Sequence, residues 1–547
     1  MMRRFPSFGF LSTFLFICSL SAPGAFAAPA PANAVQWQRW EFALSAKQSH
    51  PTPYTSVEVD VRFHGPQGST FQVPAYWDGK GQFRFRAAFP IPGLWRWETT
   101  CNVATDTGLH RQTGEVVVSS YTGGNSLYRH GDLRVSRDHR FLIHADGTPF
   151  LWMGDTAWNA VWKSTLAEWR DYIDVRARQR FSVIQTIGTA AVPRSETQLL
   201  PECGHLPFQD DGSPEPRYWQ DLDDKIAYAN ESGLFVMLTG LGKSRANFNA
   251  QQGTVAFSRY VAGRLAGDMV ILSPSMDDRF DPLNENAGVR LRPFTTHLIA
   301  QHPGTHLPTA QHFHDAAHTD FAALQTGHHN GRLERVYDAA HAWLRELRQH
   351  PPVKPVINIE AMYDALGHDN GPAWREQDVR KLGWISWLSG SPGYTYGAGD
   401  VPPKVPGGGG GIWRFQEDPS AYDYWRKAML WPSAGQMTHL RDFFAGLEWW
   451  TLEPMPTRVL NQTDDALHKM AAAGTPDGKL LVAYLPDNAE IVLNLDGLPE
   501  GLSGRWFNPV TATYAPLAEK AVKGPTMTLR RPDGWADAVL VLSAHHP

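Results

Sequence analysis

The chain has 547 residues, enough for three or four domains at roughly 150 residues each. Hydrophobic residues make up 42% and charged residues only 19%, which excludes an intrinsically disordered chain and a long charged coiled coil. The net charge is −5, from 50 basic and 55 acidic residues that are interspersed, so no basic field attracts nucleic acid.

Residues 1–27 have the pattern of a secretory signal peptide. Arg3 and Arg4 precede an apolar run from Phe8 to Leu20, and an Ala-Phe-Ala triplet at 25–27 supplies the small-residue cleavage pattern. The apolar run is too short to span a bilayer. The sequence therefore predicts an exported protein, periplasmic or extracellular, without a membrane span.

Two cysteines follow this segment, Cys101 and Cys203. An oxidising compartment permits a bond between them, but nothing in the sequence requires one. We interpret both as structural and leave the bridge open.

Residues 35–120 alternate between apolar and polar positions with a period of two. Val57, Val59, Val61 and Phe63 share one face of a predicted strand, and a similar run follows the turn at 78–81. Short strands joined by Gly- and Pro-rich turns at this spacing predict an N-terminal β-sandwich, whose core includes Trp95 and Trp97.

Between residues 125 and 432, strand-like runs alternate with helices of good 3.6-residue period. Thr165 and Glu168 form a capping box for one helix, and Gly233 ends another before the apolar run 234–238. About 300 residues of this pattern predict a (β/α)8 TIM barrel, with a doubly wound open sheet as the alternative.

The period-two alternation returns in residues 433–547. The runs 480–485, 491–495 and 538–542 resemble strands separated by Gly-rich turns. The predicted fold is therefore multidomain, with the (β/α)8 barrel flanked by N-terminal and C-terminal β-sandwich domains.

The reactive groups of a (β/α)8 barrel lie at the carboxyl ends of its strands, so polar residues that end apolar runs are the candidates for chemistry. Glu360 directly follows Val-Ile-Asn-Ile at the end of the predicted seventh strand. An isolated carboxylate there is costly to bury unless it is paired or used. We favour catalysis over the alternative of a salt bridge to a neighbouring arginine.

A second carboxylate follows the predicted fourth strand, where Asp277 and Asp278 come after residues 269–272 and a proline turn. Asp277 lies 83 residues before Glu360, which is about three βα units. Two such carboxylates suit glycoside hydrolysis, in which one donates a proton to the leaving oxygen while the other attacks or activates water. Whether Asp277 or Asp278 is the acid stays open, because one of them could cap the next segment.

Other residues near strand ends are candidates for substrate contacts. Asp155 either binds a substrate hydroxyl or caps the backbone that follows it. The 21 tryptophans outnumber the 16 tyrosines, and Trp158, Trp152 and Tyr394 could form a stacking wall for a sugar, although Trp in a barrel more often packs in the core. The predicted substrate contacts are Asp155, Trp158, Asn159, His297, Gln325, His328, Tyr363, Tyr394 and Tyr396.

Eight histidines lie between His297 and His329, which raises the question of a metal. No His-Glu-x-x-His or paired Cys-x-x-Cys motif occurs, so we predict no metal and no other cofactor. We expect His297 and His328 to hydrogen-bond to substrate or to the carboxylates. A metal-dependent hydrolase is the weakest of the alternatives.

Five ordered blocks carry a family resemblance: DGTPFLWMGDTAW at 146–158, and residues 292–297, 324–328, 359–363 and 393–397. These blocks are similar to those of the apiosidase-like glycoside hydrolases, a bacterial family of (β/α)8 barrels. Residues 73–100 resemble the β-sandwich commonly placed before this barrel, and residues 504–509 resemble the collagen-binding-like domain that follows it.

The resemblance implies a retaining glycosidase with Asp277 as general acid/base and Glu360 as nucleophile. The family's characterised activity is removal of apiose from the pectin rhamnogalacturonan II. The end of strand four reads Ser-Pro-Ser-Met-Asp rather than Gly-Gly-Asp, the pattern associated with that activity, so the sugar stays open.

We therefore expect a secreted retaining glycoside hydrolase whose substrate is an oligo- or polysaccharide of a plant or microbial cell wall. A carboxyl separation of about 5–5.5 Å between Asp277 and Glu360 would fit the retaining mechanism. The competing hypothesis is a non-catalytic carbohydrate- or matrix-binding protein with a relic barrel. The sequence does not specify the linkage, exo or endo action, or the oligomeric state.

Overall fold

The structure, a computed structural model, describes residues 32–189, 200–242, 253–276, 282–327, 332–366, 373–399, 412, 424–517 and 524–544. The predicted signal segment, residues 1–27, lies outside them. Within the described ranges, no helix is long and apolar enough to cross a membrane.

The N-terminal domain consists of two sheets packed face to face, as the period-two alternation predicts. Its elements are β1 (Ala32–Val35), β2 (Arg39–Ser45), α1 (Pro53–Ser56), β3 (Val59–His64), β4 (Thr70–Pro74), β5 (Tyr76–Trp77), β6 (Gln82–Ala88), β7 (Gly93–Cys101) and β8 (Thr113–Ser119). One sheet has the order β1-β8-β7-β3-β4 and the other β2-β6-β5. Phe85 and Trp97 meet across the two sheets with ring centroids 5.0 Å apart, and Trp95 is fully buried beside them. Cys101 in this domain and Cys203 in the barrel are free thiols.

A short helix and a hairpin connect this domain to the barrel and cover the barrel's lower end. They are α2 (Ser126–His130), β9 (Leu133–Val135) and β10 (Leu142–His144). Leu127, Leu133 and Leu142 pack in one cluster with Trp152 and Phe235 at the beginning of two barrel strands. The amino-terminal end of the barrel is therefore closed by apolar side chains.

The barrel strands are parallel, and helices connect them. The strands are β11 (Trp152–Thr156), β12 (Val183–Ile187), β13 (Phe235–Thr239), β14 (Val270–Leu272), β15 (Ala322–Gln325), β16 (Val356–Glu360) and β17 (Gly393–Gly397). The helices are α3 (Ala160–Lys163), α4 (Leu166–Arg178), α5 (Pro216–Glu231), α6 (Val255–Leu265), α7 (Pro282–Leu291), α8 (Leu307–Asp315), α9 (Leu333–Gln349), α10 (Glu376–Leu388), α11 (Tyr424–Ala428) and α12 (Pro432–Ala445). The capping box of Thr165 and Glu168 begins α4, as predicted.

The segment 298–300 closes the barrel between its two edge strands. The sheet runs β14-β13-β12-β11-β17-β16-β15. The amide of Leu272 in β14 donates to the carbonyl of Leu298 at 2.9 Å, and the amide of Ala300 donates back to Leu272 at 3.1 Å. On the other side, the amide of Asp320 donates to the carbonyl of Ile299 at 2.8 Å. This segment occupies the fifth strand position, so the fold is a (β/α)8 barrel and the alternative of an open doubly wound sheet is wrong.

Alternation along each barrel strand separates an inner from an outer face. The inner side chains form the barrel's own core, and the outer ones pack against the helices. The inner core includes Trp152, Val183, Phe235, Met237, Ile271, Ala323, Ile357 and Ile359. The outer side chains, such as Met153 and Ile184, belong to the larger cluster shared with the helices. The face on which a strand residue lies therefore decides whether it can contact the barrel's interior.

The C-terminal domain is again made of β-strands. Its strands are β18 (Glu453–Pro454), β19 (Ala471–Gly474), β20 (Leu480–Leu485), β21 (Glu490–Asn494), β22 (Ser503–Asn508), β23 (Thr513–Pro516), β24 (Thr526–Arg530) and β25 (Ala538–Ser543). They form a sheet of order β18-β19-β20-β25-β22-β23 and the pair β21-β24. The predicted boundary at residue 433 falls at the start of α12, whose Phe443 packs edge-to-face on Trp384 of α10 at 5.0 Å. This helix therefore packs with the barrel helices.

Buried ion pairs fix the N-terminal domain to the barrel. The Asp223 carboxylate of α5 lies 2.6 Å from Arg86 Nη2 of β6 and 2.7 Å from Arg264 Nη2 of α6. Burial raises the pKa of Asp223, but the neighbouring guanidinium groups of Arg264 and Arg86 outweigh it and hold that pKa well below the usual range. The carboxylate therefore stays ionised and links the two domains.

Another buried pair fixes the C-terminal domain. Arg380 Nε of α10 lies 2.8 Å from the carboxylate of Asp537, which also accepts a hydrogen bond of 2.8 Å from the Tyr484 hydroxyl. The rings of Trp384 and Tyr484 stack beside it, with centroids 5.9 Å apart. Buried ion pairs therefore connect the barrel to both flanking domains, through Asp223 to the N-terminal domain and through Asp537 to the C-terminal domain.

Removing the Asp223 charge should destabilise the protein strongly. We expect Asp223→Asn to lower the free energy of unfolding by about 3–5 kcal/mol near neutral pH, because it leaves buried guanidinium groups uncompensated. The pKa of Asp223 is lower in the folded than in the unfolded state. The stabilisation by Asp223 is therefore fully present above its unfolded-state pKa and is lost as the pH falls towards its folded-state pKa. Urea unfolding measures the change.

The matched control is Asp224→Asn, since Asp224 is the exposed neighbour of Asp223 on the same helix. It should shift the free energy of unfolding by less than about 0.5 kcal/mol. Equal effects of the two substitutions would show that the ion pairs do not stabilise the domain interface.

Candidate active site

Glu360 ends β16 and is 3% exposed. The pairing of β15 with β16 shifts after Leu324 and skips Ile359, so that Glu360 lies opposite Gln325 and the regular alternation of β16 is interrupted here. The carbonyl of Glu360 accepts hydrogen bonds from the amides of Thr326 at 3.1 Å and Gly327 at 3.3 Å. A Cβ at Gly327 would lie 2.4 Å from the carbonyl oxygen of Ala361, so glycine is required for this close approach. The backbone of two neighbouring strand ends therefore fixes the position of Glu360.

Each oxygen of the Glu360 carboxylate faces a different buried side chain. His302 Nε2 lies 2.7 Å from Oε2, and the Tyr363 hydroxyl donates a short hydrogen bond to Oε1. His302 is fully buried and Tyr363 nearly so. Because a buried carboxylate is costly without partners, these two groups make the position of Glu360 tenable.

Trp158 joins the two partners of Glu360 to each other. Its indole N–H donates to the Tyr363 hydroxyl at 2.8 Å, and its ring packs edge-to-face on His302 with centroids 5.6 Å apart. A Cβ at Gly397 would overlap the Tyr363 ring, so that ring packs closely against β17. Glu360, Tyr363, Trp158 and His302 therefore form a closed ring of contacts, which we call the Glu360 ring.

His302 is the contact of Glu360 that the sequence analysis missed. It follows the fifth strand segment, 298–300, which is too short and too irregular to be recognised as a strand from the sequence. The amide of Gly304 donates to His302 Nδ1 at 3.4 Å, which favours the tautomer with the proton on Nε2. Nε2 is the nitrogen that lies against Glu360 Oε2.

An apolar cluster borders the Glu360 ring at the mouth of the barrel. It contains Trp158, Ile187, Met276 and Tyr363, with Leu366 packed against it. These residues follow or end the first, second, fourth and seventh strands, so strand ends around the barrel meet here. The predicted Trp158 contact is thus at the mouth, whereas Trp152 lies in the inner core, where its N–H donates to Thr395 at 2.9 Å.

Asp277, Asp278 and His328 lie outside the described residues. The described chain reaches Met276 after β14, and this segment is tied to the end of β13 by a 2.7 Å hydrogen bond from the Gly242 amide to the Pro274 carbonyl. Met276 packs in the same cluster as Tyr363. The residue that precedes Asp277 therefore lies at the barrel mouth, next to a partner of Glu360.

The structure gives Asp155 a structural ion pair in place of the predicted substrate contact. Its Oδ2 lies 2.6 Å from Arg176 Nε and accepts a 2.5 Å hydrogen bond from the Tyr172 hydroxyl, and both residues belong to α4. Asp155 shares its face of β11 with Met153, which packs in the outer cluster. The alternation thus turns Asp155 towards the helices and away from the barrel's interior.

Tyr394 and Tyr396 of β17 also face outwards. The Tyr394 hydroxyl donates to the Val379 carbonyl of α10 at 3.4 Å, and the Tyr396 hydroxyl lies 2.9 Å from the Ser433 hydroxyl at the start of α12. Both rings are fully buried in the outer cluster. Their predicted role in binding substrate is therefore replaced by packing between the sheet and the helices.

His297 lies at the opposite end of the barrel from Glu360. It precedes the fifth strand segment, and its nitrogens contact Asp132 Oδ2 at 3.1 Å and the Leu265 carbonyl at 3.0 Å. Burial lowers the pKa of His297, but Asp132 outweighs this effect and raises it. The histidine therefore joins the barrel to the hairpin at its lower end.

Two other predicted contacts remain near the mouth. Asn159 is fully buried at the start of α3, one residue after Trp158. Gln325 is buried at the end of β15, in register with Glu360. Among the predicted contacts within the described ranges, Trp158, Asn159, Gln325 and Tyr363 thus lie at or next to the Glu360 ring.

The described histidines between 297 and 327 contact different parts of the fold. His306 Nδ1 lies 2.8 Å from Thr309 Oγ1, His312 Nε2 lies 3.4 Å from Glu285, and His314 Nε2 bonds the Pro352 carbonyl at 2.6 Å. No group of three or more His, Cys, Asp or Glu side chains suited to a metal occurs in the described part of the chain.

A second buried carboxyl lies close to the loop that carries Tyr363. The Ser433 hydroxyl donates a short hydrogen bond to Asp364 Oδ2, and the amide of Asp364 donates to the Gly397 carbonyl at 2.9 Å. Burial raises the pKa of Asp364 to about 6, and the charge of Glu376 adds to the rise. This carboxyl connects the end of β16 with β17 and α12.

A family model described as "Apiosidase-like, catalytic domain" matches residues 136–451, more than half of the chain. The chain belongs to the apiosidase-like family. A further model, "Domain of unknown function (DUF5060)", matches residues 33–102. No curated protein matches the chain. The protein is therefore an apiosidase-like glycoside hydrolase, an enzyme with a carbohydrate substrate rather than the non-catalytic binding protein of the competing hypothesis.

Solved structures share this fold at low sequence identity. A glycoside hydrolase family 5 protein from Bacteroides vulgatus has a TM-score of 0.65 and 20% identity, over 76% of this chain and 94% of its own. Another protein from the same organism, assigned to the glycoside hydrolases, has a TM-score of 0.70 and 16% identity, over 93% of this chain and 99% of its own. The second match confirms a barrel flanked by both β-sheet domains.

Removing the Tyr363 hydroxyl should slow the apiosidase-like enzyme without unfolding it. We expect Tyr363→Phe to lower kcat/KM by about 10–100-fold, the loss typical of one hydrogen bond to a charged group. The control is Tyr337→Phe, which removes a buried hydroxyl that donates to the Asp378 carbonyl at 3.2 Å on the outer side of the barrel. If both variants keep wild-type kcat/KM, the Tyr363 hydroxyl does not assist Glu360.

Asp364 should make the stability of the fold depend on pH. Its folded pKa of about 6 is above the unfolded value, so the folded state holds a proton that the unfolded state has lost. Stability should therefore fall as the pH rises from about 4 to 6, by about 3 kcal/mol for this group. The difference in free energy of unfolding between wild type and Asp364→Asn, measured at several pH values, isolates the effect. Parallel pH curves would contradict it.

Proposed function

We propose that this enzyme is a retaining glycoside hydrolase in which Glu360 is the nucleophile. The observation that carries the proposal is a carboxylate, buried at the mouth of the barrel, whose two oxygens face His302 and Tyr363. In barrel enzymes the reacting groups lie at this end of the strands. Retaining glycosidases need a carboxylate that is ionised and held in one orientation.

The Tyr363 hydroxyl suits a nucleophile better than an arginine would. A salt bridge with a guanidinium would hold both oxygens and reduce their tendency to attack. The Tyr363 hydroxyl orients the carboxylate through a single hydrogen bond to one oxygen, and His302 Nε2 lies 2.7 Å from the other.

Asp277 is the proposed general acid/base, and Asp278 is the alternative. This choice is supported by Met276, the residue before Asp277 in the sequence, which packs at the barrel mouth in the same cluster as Tyr363. In the first step Glu360 attacks the anomeric carbon while Asp277 protonates the leaving oxygen. In the second step Asp277 takes a proton from water, which attacks the glycosyl-enzyme and releases Glu360.

The proposed substrate is a cell-wall glycan outside the cytoplasm. The signal-like pattern of residues 1–27 supports export. The family resemblance points towards pectin, whereas the residues before Asp277 differ from those associated with removal of apiose. The sugar is therefore to be found by screening release from pectins, arabinogalactans and glucans.

The decisive test combines Glu360→Gln with the stereochemistry of the product. On the glycan that wild type cleaves, this variant should lose at least about a thousandfold in kcat while keeping its melting temperature. NMR spectra recorded early in the wild-type reaction should show the newly released sugar in the anomeric configuration of the substrate.

Glu334→Gln is the matched control, because Glu334 is an exposed carboxylate in the first turn of α9. It should keep wild-type kcat. Inversion of the anomeric configuration would exclude the nucleophile role, and full activity of Glu360→Gln would move the chemistry to another residue.

A further inference from the structure

Three side chains form a polar layer directly below the mouth of the barrel. Thr156 of β11, Gln185 of β12 and Gln325 of β15 are each at most 1% exposed. We call these three residues the inner polar layer. Below it the interior consists of apolar side chains such as Trp152, Val183 and Ala323.

The strand alternation turns these side chains into the barrel. Gln185 lies between Val183 of the inner core and Ile187 of the mouth cluster, on the same face of β12. Its neighbours Ile184 and Thr186 face outwards, where Ile184 packs with the helices. Thr156 shares its face with Trp152, and Gln325 shares its face with Ala323.

Four side-chain atoms of this layer have no hydrogen-bond partner in the described part of the chain. They are Thr156 Oγ1, Gln185 Oε1 and Nε2, and Gln325 Oε1. Buried polar groups are almost always hydrogen-bonded, and leaving one unmade destabilises the fold. Four such atoms on one layer of a barrel point to a ligand that supplies their partners.

The layer adjoins the Glu360 ring on two sides. Gln325 is in register with Glu360 itself. Thr156 is in register with Gln185 and also with Gly397, the residue against which the Tyr363 ring lies. A ring held on this layer would therefore sit beside the carboxylate.

We propose that Thr156, Gln185 and Gln325 form the floor of the subsite for the sugar attacked by Glu360, and that this sugar is neutral. The inference rests on the proposed function of Glu360. Amide and hydroxyl groups both donate and accept, which matches the hydroxyls of a sugar ring. A uronate would place a second negative charge near Glu360, and the inner polar layer offers it no cation.

The test compares Gln185→Leu and Thr156→Val with wild type in two measurements. One is kcat/KM on 4-nitrophenyl glycosides of neutral pentoses and hexoses and on the glucuronide. The other is the shift in melting temperature caused by the corresponding free monosaccharides. Tyr394→Phe is the control, because it removes a buried hydroxyl from the outer face of the barrel.

Both variants should melt at or above the wild-type temperature, because each removes polar atoms that the empty fold leaves unpaired. They should lose about tenfold or more in kcat/KM on neutral glycosides, together with the stabilisation by free sugar. Glu360→Gln, in contrast, should lose turnover but keep the stabilisation by sugar. Loss of sugar binding in the layer variants alone would therefore support the subsite even if wild type hydrolysed none of the glycosides.

Three results would overturn the proposal. In the first, both variants stay within about twofold of wild type in kcat/KM and are still stabilised by free monosaccharide. The layer would then bind only water. In the second, the glucuronide is the preferred substrate. In the third, no neutral monosaccharide shifts the melting temperature of wild type. If Gln185→Leu melts well below wild type, the near-isosteric Thr156→Val decides between these outcomes and the expected one.

Discussion

The carboxyl group of Glu360, buried at the end of a barrel strand, is the constraint on which the rest of the site depends. Taking a carboxylate out of water costs several kcal/mol, so it must be offset by donors that are already in place. Tyr363 donates to one oxygen from the seventh strand end, His302 lies against the other from the fifth, and Trp158 contacts both residues from the first. Closure of the barrel through residues 298–300 also positions His302, which follows that segment.

The two flanking β-sheet domains pack against a barrel whose mouth contains buried polar groups. Buried polar atoms in the inner layer and a buried charge at Glu360 both reduce the free energy of unfolding. The lower end of the barrel has the opposite character, since a hairpin fills it with apolar side chains. The ion pairs of Asp223 and Asp537 lie between barrel helices and the flanking domains, and they join these domains to the barrel at points separate from the Glu360 ring.

Much of the architecture follows from sequence patterns. A position near the end of a strand, however, does not show whether a side chain faces the interior of the barrel or the surrounding helices. Glu360 was predictable because one carboxylate after four mostly apolar residues is unusual. Asp155, Tyr394 and Tyr396 face the helices, because each lies an odd number of residues from Trp152 or Thr395, which face the interior. His302 could not be found in this way, because the segment 298–300 has its regular pairing only through the tertiary contacts of Leu272 and Asp320.

The excess of tryptophan illustrates how composition and function are related in this chain. Several of the largest fully buried side chains are tryptophans, namely Trp95, Trp152, Trp162, Trp169, Trp219, Trp384 and Trp425, and they pack within or between layers. Their abundance therefore reflects the area that sheets and helices must bury against one another, not the recognition of sugar. Trp158 differs because its N–H donates to Tyr363, which in turn donates to the Glu360 carboxylate. A tryptophan of this kind positions another side chain. Its role can be distinguished from that of a core tryptophan by mutation, but not from the number of tryptophans in the sequence.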